Sequence, residues 1–437
     1  MAPEFEVGIF PARSAELDGI MDGVLPWLPR KRLVRSGAWI TLCGVKSRVV
    51  RAKRMIYFDY NATTPLLPQA RQAWLEATEK FIGNPSSPHR IGSRADAAIS
   101  GARERLAEFL ACDPQDIVWT SGATESNNTV LHHFALTLDA KAEVWISAIE
   151  HPCVQWATKH YFPKRHRLIP VTHSGAVDLN WLAEEMAHER PGLVAIMAAN
   201  NETGVLQPWR EALAICRQYE VSFLCDAAQW VGKLPAKGLG ECDFVSGAAH
   251  KFGGPKGIGF LKCPARGRVE PLLRGGPQEE GRRAGTENVA GILAMLAALE
   301  VREAGLSAGE EKQRAAWRDG FEKHLLLALP GSEIVGAGHM RLWNTVSALM
   351  PQADCQQRWV VKLDKLGYAV STGSACSSGK EEPSHVLAAM GYAPSAAGRV
   401  LRFSSGWETA EEDWSVLLEG LQKVHRGMRE TNPSASC

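Results

Sequence analysis

The sequence predicts an α/β fold with a mostly parallel sheet and helices on both of its faces. Short apolar strands alternate with stretches whose apolar residues recur at helical spacing, which is the pattern of βαβ units. The predicted strands are IVWT, VWIS, LVAIMA, VSFLC and FVSG, all between residues 117 and 247. At 437 residues the chain exceeds one typical hydrophobic core, so we also expect a second, smaller domain.

The first 54 residues differ from the rest of the chain. They become basic towards Arg54, and their apolar pieces are too short and too interrupted to span a membrane. The charged start and long apolar core of a signal peptide are also missing. We interpret this segment as a disordered arm or as the product of a start codon assigned too far upstream, with organelle targeting as a third alternative.

Two amphipathic helices are predicted after Pro68. Their apolar residues recur at the three- and four-residue spacing of one helix face. These residues are Ala70, Ala73, Trp74, Ala77 and Phe81 in the first helix, and Ile99, Leu106, Phe109 and Leu110 in the second.

The composition is that of an ordinary globular protein, with 45% hydrophobic and 22% charged residues. A net charge of +1 argues against a nucleic acid bound by bulk charge. The 10 cysteines show neither a CxxC pair nor a regular spacing, so we expect neither a zinc site nor a disulfide framework. This distribution favours the reducing cytoplasm.

Lys251 lies in an unusual place for a lysine. It follows His250 and precedes Gly253 and Gly254 in the stretch SGAAHKFGGPKGIG. Glycines let a backbone approach a bound group closely, and a lysine desolvated there can act as an amine nucleophile that forms a Schiff base with a carbonyl compound. A solvated lysine in a Gly-rich turn is the plainer alternative, and three other stretches argue against it.

Asp226 comes at the predicted end of the strand VSFLC, where open α/β sheets place ligand residues. A buried carboxylate needs a cationic partner, and the protonated ring nitrogen of a pyridine cofactor is one. Gln229 follows in the same segment and is placed to reach the same ring. The alternative is an aspartate that caps a helix beginning after the strand.

The segment TSGATESNN, residues 120–128, follows the strand IVWT. Small residues at a strand-to-helix turn expose backbone N–H groups at a helix N-terminus, which is a site for a phosphate. Gly122, Ala123 and Thr124 would form the cradle, although the GK[ST] of a Walker loop is missing. An ordinary N-cap by Ser121 or Thr124 is the alternative.

Cys376 lies in STGSACSSG, a run of small polar residues that indicates an exposed, mobile loop. Reactive thiols need access and a lowered pKa, so this cysteine is better placed for chemistry than for core packing. An incidental loop cysteine is the commoner case.

These stretches, in this order, resemble the cysteine desulfurases of the NifS/IscS group, which are pyridoxal phosphate enzymes of the class V aminotransferase superfamily. The resemblance runs from about Ile56 to about Leu421. Each matching segment alone is weak, but the whole set in register is highly specific. The segments are YFDYNATTP, GNPSSPH, TSGATESNN, EHPCV, NNETGVLQP, CDAAQ, AHKFGGPKG, GRRAGTEN, GSACSSG and LRFSSG.

The resemblance implies the type I fold of pyridoxal phosphate enzymes. We expect a large cofactor-binding domain over residues 67–305, with a seven-stranded, mostly parallel sheet. A smaller α+β domain would combine residues 55–66 with residues 306–430 and carry the loop of Cys376. The resemblance also implies a homodimer, because Thr286 in GRRAGTEN matches a hydroxyl that reaches the phosphate of the neighbouring subunit.

The resemblance also implies roles for single residues. Lys251 would bind pyridoxal 5′-phosphate covalently and abstract the substrate Cα proton, and Asp226 would keep the ring nitrogen protonated. His151 would stack on the ring and take part in proton transfer, which its near-neutral pKa permits. Arg402 would clamp the substrate carboxylate. The other residues expected around the cofactor are Ala123, Thr124, Asn201, Gln229, His250 and Thr286.

One position departs from the family pattern. Many relatives carry a phosphate-binding serine where this chain has Ala248, and the nearest serine is Ser246. Unless the strand carries a local bulge, one phosphate hydrogen bond is missing, which costs about 1–3 kcal/mol if the bond is charge-assisted. We therefore expect weaker cofactor binding than in relatives, with the site retained through His250, Thr124 and Thr286.

The implied activity converts L-cysteine to L-alanine and leaves the sulfur on Cys376 as a persulfide for delivery to an acceptor protein. The spacing from Cys376 to EPSHVL matches desulfurases that supply iron–sulfur cluster assembly, and tRNA thiolation is an alternative destination. We expect no metal, no direct nucleic-acid partner and no membrane. Two other functions stay open: a selenocysteine lyase or other class V aminotransferase, and a non-catalytic partner protein that binds pyridoxal phosphate.

Overall fold

The computed structural model describes residues 39–42, 45–48, 55–265, 269–352, 356–373 and 384–431. The chain divides into two compact units, Met1–Arg54 and Met55–Cys437. In the first unit, β1 (Trp39–Leu42) and β2 (Val45–Arg48) form an antiparallel hairpin. Apart from this hairpin, the predicted N-terminal arm lies outside the described residues.

The second unit alternates strands and helices along most of its length. Its strands are β3 (Ile56–Tyr57), β4 (Ile117–Thr120), β5 (Val144–Ser147), β6 (His166–Ile169), β7 (Leu193–Ala195), β8 (Ser222–Asp226), β9 (Phe244–Ala248), β10 (Gly259–Lys262), β11 (Glu333–Ile334), β12 (Thr345–Leu349), β13 (Tyr368–Ala369) and β14 (Val400–Ser404). Its helices are α1 (Pro68–Lys80), α2 (Arg90–Leu110), α3 (Ala123–Thr137), α4 (Pro152–Tyr161), α5 (Leu179–His188), α6 (Trp209–Gln218), α7 (Val289–Ser307), α8 (Glu310–Ala328), α9 (Gln356–Leu366), α10 (His385–Ala389), α11 (Pro394–Ala397) and α12 (Glu411–Thr431).

A seven-stranded sheet with the order β4-β10-β9-β8-β7-β5-β6 forms the centre of this unit. Neighbouring strands from β9 to β6 are parallel, and β10 is antiparallel to both β4 and β9. The predicted α/β class and the mostly parallel sheet are therefore confirmed. The sequence pattern missed β6, because this edge strand keeps residues such as Leu168 half exposed, and it missed the short β10.

Side chains of the sheet alternate between two hydrophobic cores, one on each face. Trp119, Trp145 and Phe223 pack into the core that α1, α2 and α7 cover. Val118 and Leu224 pack into the core under α3 and α4. This alternation confirms that helices cover both faces, because strands buried on both sides are the mark of a parallel sheet.

The two predicted N-terminal helices are observed as α1 and α2. Ala70 and Ala77 of α1 are buried, as are Ile99 and Leu106 of α2. The assignment of Trp74 to the buried face was wrong, since this side chain is 42% exposed. At 3.6 residues per turn, position 74 falls at the edge of the stripe formed by Ala70 and Ala77, where a large side chain is only partly covered.

A second group of elements packs around its own core. It contains the antiparallel strands β11, β12 and β14 and the parallel pair of β3 and β13. Phe58, Trp359, Phe403 and Trp414 fill this core, so the start of the unit joins its C-terminal part. The domain limits at residues 67 and 305 stay a prediction. None of the helices in the described part of the chain has the length and apolar character needed to cross a bilayer.

Candidate active site

Lys251 ends a short 3-10 turn that follows β9. Its Nζ donates hydrogen bonds to the carbonyl oxygens of Asn61, at 2.6 Å, and Ala62, at 3.0 Å. The Thr64 hydroxyl donates to the Lys251 carbonyl at 2.9 Å, and the Thr64 N–H donates to the His250 carbonyl at 2.8 Å. Residues 61–65, the NATTP segment, therefore bind both the backbone of the 3-10 turn and the Lys251 amine.

The neighbouring His250 lies against the same segment, with its Nδ1 3.2 Å from Thr63 Oγ1. Burial lowers the pKa of His250 to about 4, and the positive charge of Lys251 adds to this effect. The imidazole is therefore neutral at neutral pH.

Asp226 is the last residue of β8 and is 6% exposed. Its Oδ2 accepts a hydrogen bond from Asn127 Nδ2 at 2.8 Å, and its Oδ1 accepts one from the Ala228 N–H at 2.9 Å. A turn, and not a helix, follows the strand, so the helix-cap alternative does not apply. Both donors are neutral, and a buried carboxylate whose donors among the described residues are neutral fits the protonated nitrogen of a pyridine ring.

The first turn of α3 is open at its N-terminus. Gly122 precedes the helix at φ 151° and ψ 176°, a conformation essentially restricted to glycine, and no side chain caps the helix. The N-cap alternative for Ser121 or Thr124 is therefore not observed. The space that a Cβ atom at Gly122 would occupy has no atom within 4 Å. Uncapped N–H groups facing open space fit a phosphate.

His151 caps the N-terminus of α4. Its Nδ1 accepts from the Cys153 N–H at 3.2 Å and lies 3.0 Å from Cys153 Sγ. Burial lowers the pKa of His151, which the charge of Asp226 opposes and that of Lys251 reinforces. Because Nδ1 accepts, the neutral ring carries its proton on Nε2. The structure thus brings His151, Asp226 and Lys251 into one electrostatic group.

Asn61 connects several of the expected cofactor residues. Its carbonyl, which holds Lys251, also accepts from Gln229 Nε2 at 2.9 Å. Its Nδ2 donates to the Asn201 carbonyl at 3.1 Å. The other end of the Gln229 amide, Oε1, accepts from Lys233 Nζ at 2.5 Å. Gln229 and Asn201 therefore lie beside the lysine, with the Gln229 amide engaged at both of its ends.

Arg402 lies on β14 and is 1% exposed. Its guanidinium donates to Asp59 Oδ1 at 2.6 Å and to the carbonyl oxygens of Asn201, at 2.9 Å, and Gly373, at 3.2 Å. Its Nε has no hydrogen-bond partner within the described part of the chain. The predicted carboxylate clamp thus already holds a carboxylate of the chain itself.

Thr286 stands apart from this group. It is exposed, and no hydrogen bond among the described residues joins it to the other expected site residues. Arg283, in the same segment, donates to Glu125 in the first turn of α3 at 2.9 Å. The GRRAGTEN segment therefore reaches the phosphate cradle through Arg283, while Thr286 faces outward.

The strand that precedes the lysine carries no bulge. Ser246, Gly247 and Ala248 pair in unbroken register with Leu261, Phe260 and Gly259 of β10. Ser246 therefore stays about 7 Å from the position of Ala248 along the strand and cannot replace the missing serine. The Ser246 Oγ is buried and has no partner among the described residues.

Cys376 lies outside the described residues, in segment 374–383. The residues that flank this segment lie at the site. The Gly373 carbonyl accepts from Arg402, and the Ser384 hydroxyl donates to Glu202 Oε2 at 2.6 Å.

Four further site residues were not predicted from the sequence: Asn61, Asn127, Lys233 and Asp59. Asn61 and Asp59 lie in YFDYNATTP, and Asn127 lies in TSGATESNN, so both segments were recognised without a role for these side chains. Lys233 carried a signal of its own, because a lysine inside the otherwise apolar WVGKLP is unusual for a solvated residue.

Comparisons with known proteins agree with this geometry. The family model of class-V aminotransferases matches residues 56–417. The chain is 36% identical to the cysteine desulfurase IscS of Dictyoglomus turgidum over 388 residues, which is 87% of this chain and 97% of the relative. A solved NifS-like protein shares the fold with a TM-score of 0.78 and 32% identity, over 85% of this chain and 100% of that protein.

A further solved structure, SspA in complex with cysteine, has a TM-score of 0.68 and 29% identity over 80% of this chain and 98% of that protein. The family model and the IscS relative both cover most of the chain, the former over residues 56–417 and the latter over 87% of its length. The chain therefore belongs to the class-V aminotransferase family, among the cysteine desulfurases.

Proposed function

We propose that this protein is a pyridoxal-phosphate-dependent cysteine desulfurase that converts L-cysteine to L-alanine and transfers the sulfur to Cys376. The observation that carries the proposal is that the charges of Lys251 and the buried Asp226 both act on His151. Asp226 is in turn hydrogen-bonded to Asn127 of α3, the helix with the open N-terminus. The named desulfurase relatives and the cysteine complex of a structural neighbour support the same substrate.

Enzymes of this family depend on pyridoxal phosphate, and the residues described here fit that cofactor. When bound, it supplies an electron sink that makes the substrate Cα proton acidic. The N–H groups of Ala123 and Thr124 would hold its phosphate, and Asp226 would face its ring nitrogen. Asn127 keeps the Asp226 carboxylate in place through its 2.8 Å hydrogen bond. Lys251 Nζ would hold the cofactor and take the Cα proton.

Arg402 binds the substrate carboxylate in this proposal. The guanidinium is fixed by Asp59 and by the Asn201 carbonyl, so its planar fork is oriented before substrate arrives. A carboxylate that displaces Asp59 would gain charge-assisted hydrogen bonds.

The sulfur transfer conserves electrons without an external oxidant. The Cys376 thiolate forms an S–S bond with the substrate sulfur while the C–S bond breaks. The electron pair of the C–S bond stays on the carbon fragment, which becomes alanine after protonation. His151, with its proton on Nε2, is the group we assign to proton transfer near the ring.

The wider setting follows from the same proposal. The outward position of Thr286 supports a homodimer in which this hydroxyl reaches the partner's cofactor phosphate. The persulfide would pass to an acceptor protein, either an iron–sulfur scaffold or a tRNA-thiolating enzyme. The cytoplasm stays the predicted location.

The test measures alanine and sulfide release from L-cysteine in the presence of a reductant, together with the near-visible absorbance of the bound cofactor. The native protein is compared with Cys376→Ser and with Cys112→Ser, a control at a half-buried cysteine. We expect turnover in the native protein and the control, and none in a Cys376→Ser variant that keeps its cofactor band.

Equal turnover in all three proteins would instead support a selenocysteine lyase or an aminotransferase. A native protein without a cofactor band would support a non-catalytic partner protein.

A further inference from the structure

Lys233 is a buried lysine whose hydrogen bonds go to neutral groups. It is 3% exposed, and its Nζ donates to Asn61 Oδ1 at 2.8 Å and to Gln229 Oε1 at 2.5 Å. Burying an amine is unfavourable unless its hydrogen bonds are made, and a hydrocarbon side chain would fill the same space without that cost. The retention of an amine here points to a task for its N–H groups.

The backbone of this lysine is fixed against the turn of Lys251. Gly232 has a φ of 73°, and a Cβ atom there would lie 2.3 Å from Cβ of Phe252, so only glycine permits this approach. The Trp407 indole donates to the Gly232 carbonyl at 3.0 Å, and the Trp343 indole donates to the Lys233 carbonyl at 2.8 Å. These contacts fix the backbone of Lys233 and so define the position of its amine.

Both acceptors of Lys233 are linked to the Asn61 carbonyl, which accepts from Lys251 Nζ. A carboxamide has two ends of nearly equal size, so the partner of its oxygen decides where its nitrogen points. With Lys233 on Oε1, the Gln229 Nε2 donates to the Asn61 carbonyl. That same carbonyl accepts from Lys251 Nζ at 2.6 Å. Lys233 also holds the Asn61 side chain, so the residue that carries the carbonyl is fixed at both ends.

We propose that Lys233 is a positioning residue of the Lys251 site: its amine fixes the Asn61 carbonyl that accepts Lys251 Nζ and orients the Gln229 amide towards it. The proposal rests on the proposed function in that Lys251 is the cofactor-binding lysine. In this proposal Lys233 does not contact the substrate, but it determines the hydrogen bonding of Lys251 Nζ.

Like-charge repulsion also couples Lys233 to Lys251. Burial lowers the pKa of Lys233 well below its ordinary value, and the charges of Lys251 and Arg402 contribute. Within the described part of the chain, the titratable groups that interact with it are these two cations and His250, whose own pKa Lys233 helps to lower. Repulsion between two like charges is reciprocal, so a charge on Lys233 also disfavours a positive charge on Lys251 Nζ.

The test replaces Lys233 with methionine and uses Lys262→Met as the matched control. Lys262 is also a buried lysine, 6% exposed, but its Nζ donates to the Cys242 carbonyl at 2.8 Å, away from the site. In the protein loaded with pyridoxal phosphate, the pH midpoint of the near-visible band is measured. In the cofactor-free protein, the pH dependence of Lys251 acetylation is followed by mass spectrometry.

We expect Lys233→Met to raise both midpoints by about one pH unit, and Lys262→Met to leave them unchanged. Equal midpoints in the native protein and Lys233→Met would overturn the proposal, even if Lys233→Met unfolds at a lower temperature. Should Lys233→Met not fold, Gln229→Met must produce the upward shift, because it removes the N–H that competes with Lys251 Nζ for the Asn61 carbonyl. Neither readout uses L-cysteine, so a lack of desulfurase activity would contradict the proposed function without affecting this comparison.

Discussion

The Asn127 side chain donates to Asp226 Oδ2 at 2.8 Å, and this contact ties the second turn of α3 to the end of β8. The first turn of the same helix provides the open N–H groups of the phosphate cradle. The four-residue step from Ala123 to Asn127 rises by about 6 Å along a helix. One helix therefore sets both the phosphate position and the carboxylate that faces the cofactor ring.

Asp226→Asn is expected to lower kcat for alanine formation by at least about 100-fold, because an amide cannot keep a ring nitrogen protonated. The cofactor-free variant should unfold at no lower temperature, since a buried charge has been removed. Steady-state kinetics and thermal unfolding are compared with Asp243→Asn, whose Oδ2 accepts from the Phe223 N–H at the other end of β8. A kcat near the native value would rule out the role of Asp226.

Arg402→Lys is expected to raise KM for L-cysteine about 10- to 100-fold, because lysine keeps the charge but loses the planar fork. The control is Arg399→Lys, which changes an arginine bound to the Met350 carbonyl at 2.7 Å. Initial rates over a range of L-cysteine concentrations give KM for both. If both variants keep the native KM, Arg402 is not the carboxylate clamp.

Ala248→Ser is expected to tighten pyridoxal phosphate binding about fivefold, which corresponds to about 1 kcal/mol for one restored hydrogen bond. Ser246→Ala should leave binding unchanged, because the Ser246 hydroxyl has no partner in the described structure. Equilibrium dialysis of the cofactor measures both. Weaker binding in Ser246→Ala with no gain in Ala248→Ser would show that Ser246 contacts the phosphate.

Glu150 should make stability depend on pH. It is fully buried, with Oε1 accepting from the Ser147 hydroxyl at 2.6 Å and the Met197 N–H at 2.7 Å. Burial raises the pKa of Glu150 to about 8, and the charge of Asp226 adds to this effect. The folded protein therefore keeps a proton on Glu150 that the unfolded chain releases near pH 4.5. The contribution of the protonated Glu150 to the free energy of unfolding is complete below pH 4.5 and is lost as the pH rises through about 8.

We expect the free energy of unfolding to fall between pH 5 and pH 8, and to fall less in Glu150→Gln. Urea unfolding at several pH values in this range gives both profiles. Parallel profiles would mean that Glu150 is ionised in the folded protein.

Thiol labelling should distinguish Cys376 from the described cysteines. Burial raises the pKa values of Cys112, Cys153 and Cys216 to about 12 and that of Cys263 to about 11, so these thiols stay protonated at neutral pH. We expect iodoacetamide at neutral pH to leave them unmodified in the native protein, as read by peptide mass spectrometry. Rapid labelling of Cys153 would indicate a second reactive thiol beside His151.

Several features of this site could be predicted from local sequence. Lys251 beside glycines, Asp226 at a strand end and the small residues before α3 are each chemically unusual where they stand. Each of these features alone has an ordinary structural alternative, so the functional prediction depended on all of them occurring together. The plain helix cap at Thr124 was excluded only when the first turn of α3 proved to be uncapped.

The sequence by itself determined the α/β class, because strand and helix periodicities are local, and it singled out the residues with distinctive chemistry. Only the tertiary structure decided which groups hold them. Asn61 and Lys251 are 190 residues apart, and Asn127 and Asp226 are 99 apart, yet each pair forms a hydrogen bond. Contacts of this kind depend on how the sheet and the NATTP segment pack in space, and the local periodicity of the sequence carries no information about that packing.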